Sequence, residues 1–281
     1  MKFNIGIIGA GAMGNGIAHT FAQHNYSVLL VDINSKLLEK SIKLIEQNMD
    51  RQVKKNIISA ENKKNFIKNI TCNTDISLLK KSDLVIEAVT ESLNVKLDIF
   101  KKLDKLCPEH TIFATNTSSI SITKIAAQTN RPDRVIGMHF MNPVPVMKLV
   151  EVIRGYLTSD ATLKKICDIS KSLNKIPIEC NDYPGFVANR ILMPMINEAI
   201  YCKMEGVAEA ESIDQIIKLG MAHPMGPLAL ADLIGLDVCL AILEVLYEEM
   251  GDSKYSPCPL LKKMVNAGVL GRKTGRGFYK Y

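Results

Sequence analysis

Gly9-Ala10-Gly11-Ala12-Met13-Gly14 follows directly on the apolar run Ile5-Gly6-Ile7-Ile8, and together they read as a strand, a tight turn and a helix start. Each glycine has its own task in such a turn. Gly9 permits the sharp reversal, Gly11 lets the backbone approach a pyrophosphate, and Gly14 lets the helix close on the strand. The helix start adds unpaired N–H groups and partial positive charge. The glycine spacing alone would also suit an ordinary strand–helix–strand unit, so its context carries the weight. A second apolar run, Val28-Leu29-Leu30-Val31, ends in Asp32, about 20 residues further on, where a carboxylate accepts hydrogen bonds from a ribose. Gly9, Ala10, Gly11, Ala12, Met13, Gly14 and Asp32 thus form a candidate dinucleotide site. Asp32 favours NAD over NADP, because a carboxylate repels a 2′-phosphate by about 4 kcal/mol per unit charge pair. Ile33 offers no cation to offset that.

Composition excludes several classes. The 281 residues are 47% hydrophobic and 23% charged, which suits a folded globular chain with a substantial core and one or two domains. No run approaches the roughly 18 apolar residues that a membrane span requires. The net charge of +6 is spread along helices without an aromatic-laced basic stripe, so a small polyanionic ligand fits better than nucleic acid. Seven scattered cysteines, with no metal-like spacing, indicate free thiols in a reducing cytoplasm.

Beyond Asp32, the spacing of Leu37, Leu38, Ile42, Leu44, Ile45 and Met49 predicts a long amphipathic helix with Ser35 as its N-cap. Strands are expected at 70–72, 84–89, 111–114, 134–138, 148–153 and 176–180, with helices at 94–106, 121–129 and 160–173. The pattern is α/β, a Rossmann-type doubly wound parallel sheet over residues 1–183. From 184 onward only helices are expected, at 187–204, 212–219, 229–250 and 260–267, giving an all-α C-terminal domain over 184–281 and ending in a glycine-rich tail.

A dinucleotide turn names no reaction. In an open α/β sheet ligands gather at the carboxyl ends of the strands, and Thr115-Asn116-Thr117-Ser118-Ser119 and His139 both fall there. Glu151 lies within the apolar run Leu149-Val150-Glu151-Val152-Ile153, where a carboxylate is costly unless paired. If the two strands are neighbours, Glu151 holds His139 and fixes its tautomer for general acid–base work; otherwise Glu151 sits on an edge strand in water. Ser118 suits either a substrate contact or a helix cap. Asn189, in an apolar helix, needs a partner, either a substrate oxygen or another helix.

Six segments carry a resemblance over essentially the whole chain: GAGAMGNGIA at 9–18, NTSS at 116–119, HFMNPVPVMKLVEV at 139–152, PGFVANR at 184–190, HPMGP at 223–227 and GRKTGRGFY at 271–279. The chain resembles the short-chain L-3-hydroxyacyl-CoA dehydrogenases, most closely the free-standing bacterial 3-hydroxybutyryl-CoA dehydrogenases. The resemblance implies hydride transfer between an acyl-CoA, such as 3-hydroxybutyryl-CoA or acetoacetyl-CoA, and NAD(H). It implies His139 as acid/base, Glu151 as its orienting partner, and Ser118 and Asn189 on the substrate oxygens. It sets Glu91, Lys96, Asn116, Ser118, Asn142 and Lys273 around the cofactor, and Asn48, Lys55 and Ser118 along the CoA. A homodimer or larger homo-oligomer is implied, with closure over substrate and dimerisation through the second domain. Two other readings compete, a β-hydroxyacid dehydrogenase of a different class and a non-catalytic, crystallin-like dinucleotide binder. Both leave the set Ser118, His139, Glu151 and Asn189 unexplained.

Overall fold

Reversal of strand order fixes where ligands can enter. The computed structural model describes residues 3–281, so the first two residues of the expected N-terminal domain lie outside it. Residues up to Asp182 form one compact unit and Tyr183–Tyr281 a second. In the first, β1 (Asn4–Ile8), β2 (Ser27–Val31), β3 (Ile70–Asn73), β4 (Leu84–Glu87), β5 (Ile112–Thr115), β6 (Val135–Phe140), β7 (Leu149–Arg154) and β8 (Ile176–Asn181) form one sheet. Its order is β3-β2-β1-β4-β5-β6-β7-β8. The chain builds outward in one direction through β3 and then returns to lay β4 on the other side of β1. The switch point between β1 and β4 opens a crevice at their carboxyl ends.

The central strands read as unbroken buried runs, as strands covered on both faces must. Around them lie α1 (Ala12–Gln23), α2 (Ser35–Lys54), α3 (Ala60–Lys68), α4 (Leu93–Leu106), α5 (Ile122–Ala126) and α6 (Asp160–Ser172). The sheet departs from the expected parallel order at one place: β6 and β7 run antiparallel. The link 141–148 is too short for the crossover that a parallel neighbour needs, so the chain turns straight back. α6 then supplies a crossover that makes β8 parallel to β7.

Other differences are local. The N-cap of α2 is Asn34, whose side chain accepts from the N–H groups of Lys36 and Leu37, and Ser35 is the first helical residue. α3 is a helix that the apolar pattern did not announce, since Phe66 is its one buried residue. α5 stops at Ala126, well short of 129. Its start is held by Asp182, whose carboxylate accepts from Ser121 Oγ and from the N–H groups of Ile122 and Thr123.

The second unit holds α7 (Ala188–Met204), α8 (Ala210–Gly220), α9 (Pro227–Ile234), α10 (Leu236–Met250) and α11 (Pro259–Asn266). The single helix expected over 229–250 is two, because Gly235 takes φ 107°, outside the helical region and accessible to glycine. The helix expected over 212–219 is longer at both ends and takes in Gly220. The tail is anchored. Asp232 accepts from the N–H groups of Phe278 and Tyr279 and from Tyr281 Oη, while Asp214 accepts from the first N–H groups of α9 and from Tyr279 Oη. No helix among the described residues is long and apolar enough to cross a membrane.

His19 on α1 is buried, with 1% exposure, and Gln23 and Gln52 are the polar side chains beside its ring, their pull outweighed by burial. Burial pushes its imidazole down to about 4. The unfolded chain takes up this proton below pH 6.5 and the fold does not, so stability is full above 6.5 and declines as pH falls toward 4. The slope approaches about 1.4 kcal/mol per pH unit. Urea titrations at pH 7 and 5.5 should show His19→Gln losing about 1 kcal/mol less than the unmodified protein; equal losses would remove His19 from the acid response.

Candidate active site

The turn after β1 has the shape that a pyrophosphate requires. Gly9 has φ 99°, and a Cβ there would stand 2.6 Å from the Ala88 carbonyl oxygen. A Cβ on Gly14 would stand 1.8 Å from the Gly9 carbonyl oxygen, so α1 can begin only where it does with glycine at that position. In front of Gly11 nothing lies within 4 Å. No side chain caps the start of α1, so the N–H groups of Ala12, Met13 and Gly14 keep their donors for a ligand. Asp32 closes the other side, its carboxylate accepting from the Ala10 N–H at 2.8 Å and the Asn34 N–H at 2.9 Å. These features fit the phosphates and ribose of a dinucleotide.

Across the switch point, Glu87 ends β4 in register with Ile8 on one side and Thr115 on the other. It has 0% exposure, and Lys96, at 1%, reaches it from α4. The ammonium donates to Glu87 Oε1 at 2.7 Å and Oε2 at 3.0 Å. Glu87 also accepts from the Val89 N–H and the Thr115 hydroxyl, so every part of the buried charge is bonded. Lys96 lies 3.3 Å from Glu91 Oε2 as well. Sequence reasoning passed over Glu87, although a carboxylate closing a buried apolar strand is the same signal that singled out Glu151.

Glu91 collects the loop after β5. Its Oε1 accepts from the Thr117 hydroxyl at 2.5 Å and the Ser118 N–H at 2.8 Å, with the Ser118 and Ser119 hydroxyls and the Ser119 N–H close by. Burial would push the Glu91 carboxyl up, but Lys96 and these donors outweigh it and hold the group below the usual carboxylate range. Glu91 therefore stays ionised throughout the neutral range. Neighbouring Asn116 takes its N–H to the Glu87 carbonyl and receives the Phe140 N–H on Oδ1 at 2.9 Å. The loop is thereby tied to the end of β6.

His139 stands directly opposite Glu151 in the antiparallel ladder, which sends both side chains to one face. His139 Nδ1 meets Glu151 Oε2 at 2.7 Å, and both side chains are buried. With Nδ1–H donating to the carboxylate, Nε2 is the nitrogen that can exchange a proton. β8 covers the far side of β7, so Glu151 is not on a solvated edge. Asn142 is exposed just beyond β6.

The remaining residues lie elsewhere. Asn48 Oδ1 accepts from Arg51 on α2, and Lys55 is exposed at that helix's C-terminus. Asn189 is buried on the first turn of α7 in the second unit. Lys273, in the same unit, pairs with Asp237. Among the described residues no cluster of His, Cys, Asp and Glu is arranged to hold a metal, and the seven cysteines are free thiols.

Two family models cover the chain. One described as "3-hydroxyacyl-CoA dehydrogenase, NAD binding domain" matches residues 4–183, and one described as "3-hydroxyacyl-CoA dehydrogenase, C-terminal domain" matches 185–281. The chain is 53% identical to a 3-hydroxybutyryl-CoA dehydrogenase of Clostridioides difficile, with 99% of each chain covered. It is 45% identical to the mitochondrial hydroxyacyl-coenzyme A dehydrogenase of Homo sapiens, covering 99% of this chain and 91% of that protein. The crystal structure of an (S)-3-hydroxybutyryl-CoA dehydrogenase from Ralstonia eutropha matches with TM-score 0.96 at 51% identity, covering 100% of this chain and 99% of the other.

The buried Glu87–Lys96 pair makes a sharp energetic prediction. Glu87→Ala leaves the buried Lys96 ammonium only its longer contact with Glu91 and should lower the unfolding free energy by about 3–5 kcal/mol, measured by urea titration. A loss below about 1 kcal/mol would mean that Lys96 is satisfied without Glu87.

Proposed function

The chain belongs to the 3-hydroxyacyl-CoA dehydrogenase family, and on that premise we propose that it interconverts (S)-3-hydroxybutyryl-CoA and acetoacetyl-CoA with NAD(H). The substrate rests on the names of the relatives, which are 3-hydroxybutyryl-CoA dehydrogenases at about half identity over nearly their full length. The observation that carries the chemistry is the 2.7 Å contact between His139 Nδ1 and Glu151 Oε2.

When bound, the nicotinamide supplies or accepts the hydride. The chain's own residues manage the proton that must accompany it. In oxidation, His139 Nε2 takes the proton of the C3 hydroxyl as the hydride leaves C3. In reduction, the imidazolium returns it to the C3 oxygen as negative charge develops there. Glu151 holds the ring in the Nδ1–H tautomer and stabilises the imidazolium. The Ser118 hydroxyl and the Asn189 amide are assigned to the substrate oxygens. A donor fixed where an oxyanion develops is worth roughly 3 kcal/mol.

Around the cofactor, the turn from Gly9 to Gly14 takes the pyrophosphate and Asp32 the adenosine ribose. Asn116, Ser118, Asn142 and Lys273 are assigned to the cofactor. Glu91 contributes by holding the Ser118 loop, and Lys96 acts through Glu91, because its ammonium is already committed to Glu87 and Glu91. Asn48 and Lys55 are assigned to the CoA phosphates. The reading includes a cytoplasmic homodimer formed through the second unit, with no nucleic-acid or membrane partner.

NADH absorbance should fall when acetoacetyl-CoA is added, and failure to do so would overturn the substrate. His139→Ala should lower kcat by about 10²–10⁴-fold with NADH affinity nearly unchanged, and Glu151→Ala should move kcat the same way. Near-normal turnover in either variant refutes the assignment. NADPH should serve far less well than NADH, with Asp32→Ala narrowing the gap; a native preference for NADPH removes Asp32 from that role. Light scattering at micromolar concentration should return at least a dimer mass.

A further inference from the structure

Lys175 is unused by everything above. It lies between α6 and β8 with 7% exposure, and no carboxylate among the described residues pairs with it. Its ammonium donates to the backbone carbonyls of Val144 at 2.5 Å and Met147 at 2.7 Å. A buried cation satisfied by two main-chain oxygens is an expensive way to fill space. Burial duly pushes its ammonium below the usual lysine range. A methionine would pack in the same volume without that cost, so the donors themselves need a reason.

The two carbonyls belong to a single turn. The N–H groups of Val146 and Met147 both donate to the Pro143 carbonyl at 3.0 Å, which closes residues 143–147 on themselves. From one side this turn is gripped by Lys175, and next to it the Ile176 N–H donates to the Lys148 carbonyl at 2.8 Å. From the other side it rests on α1. Val144 is buried, and a Cβ on Gly16 would stand 2.9 Å from its Cβ. Gly16 comes two residues after the last glycine of the dinucleotide turn. The same turn is the link between β6, which carries His139, and β7, which carries Glu151. The two functional halves of the first unit thus meet at Val144, and Lys175 holds the meeting point shut.

We infer that Lys175 is a positioning residue for hydride transfer: its ammonium fixes the 143–147 turn against α1 and so registers the strand bearing His139 with the helix at whose start the dinucleotide binds. The inference rests on the proposed dehydrogenase reading. No proton or hydride passes through Lys175.

The test compares the unmodified protein with Lys175→Met, which keeps most of the stem and removes the donors. In the ligand-free protein, amide exchange at Val146 and Met147 should quicken by at least about tenfold, because the turn loses its anchor. With acetoacetyl-CoA, kcat should fall about 10- to 100-fold, as a misplaced reacting group does. The primary deuterium isotope effect from NADH labelled at the transferred position should rise, and KM for acetoacetyl-CoA should move less than about twofold. A merely structural role would lower the active fraction and leave the isotope effect unchanged. Unchanged exchange, or unchanged kcat and isotope effect in a folded Lys175→Met, overturns the inference. If that variant does not fold, Val144→Ala loosens the turn from the α1 side, and an unaltered isotope effect there overturns it equally. An unmodified protein that ignores acetoacetyl-CoA brings down the functional reading and the inference together; an active one with an indifferent Lys175→Met brings down the inference alone.

Discussion

Keeping one charge at the centre of the sheet organises the first unit. Glu87 ends β4 at the switch point, out of reach of solvent, and an ionised carboxylate survives there only if every oxygen is bonded. Lys96, the Val89 N–H and the Thr115 hydroxyl meet that demand. In meeting it they bring together α4, the loop after β4 and the end of β5. Lys96 extends the arrangement to Glu91, and Glu91 gathers Thr117, Ser118 and Ser119. The loop that carries Ser118 therefore takes its shape from a salt bridge buried at the end of β4. Such a pair contributes little net stability over well-packed apolar residues. Its contribution is to specify one loop geometry.

Much of this was legible from residues alone, and the reasons are physical. Gly9, Gly11, Gly14 and Asp32 announce themselves because a dinucleotide turn leaves few alternatives at those positions. Glu151 stands out because a carboxylate in an apolar strand demands a partner, and His139 is that partner. What escaped was whatever depends on distant neighbours. Lys175 looks like any other lysine, and Lys96 was set near the cofactor only by the resemblance, since a stretch of sequence does not reveal that a pair of backbone carbonyls, or Glu87, waits to receive an ammonium. The antiparallel sense of β6 and β7 was open to the length of the 141–148 link and was not drawn from it. Gly235 escaped because the apolar positions on its two sides continue in step, so the periodicity runs through a break that only the backbone torsion reveals.

The second unit follows a similar rule with different partners. Asp214 and Asp232 are buried with no cation paired to them among the described residues, and backbone N–H groups and tyrosine hydroxyls take its place. A Cβ on Gly277 would stand 1.8 Å from Asp232 Oδ1, so the glycines of the tail make room for the carboxylate. What composition presents as a loose end is a clasp on α9.

The antiparallel hairpin has a further consequence. A histidine–carboxylate pair assembled across parallel strands would depend on a crossover helix between them. Here His139 and Glu151 are joined by a single short turn, and side chains alternate faces along a strand. A one-residue slip of β7 against β6 would send Glu151 to the opposite face of the sheet and leave the imidazole without its carboxylate. The pairing therefore depends on the register of two adjacent strands, which the 141–148 link joins directly with no helix between them.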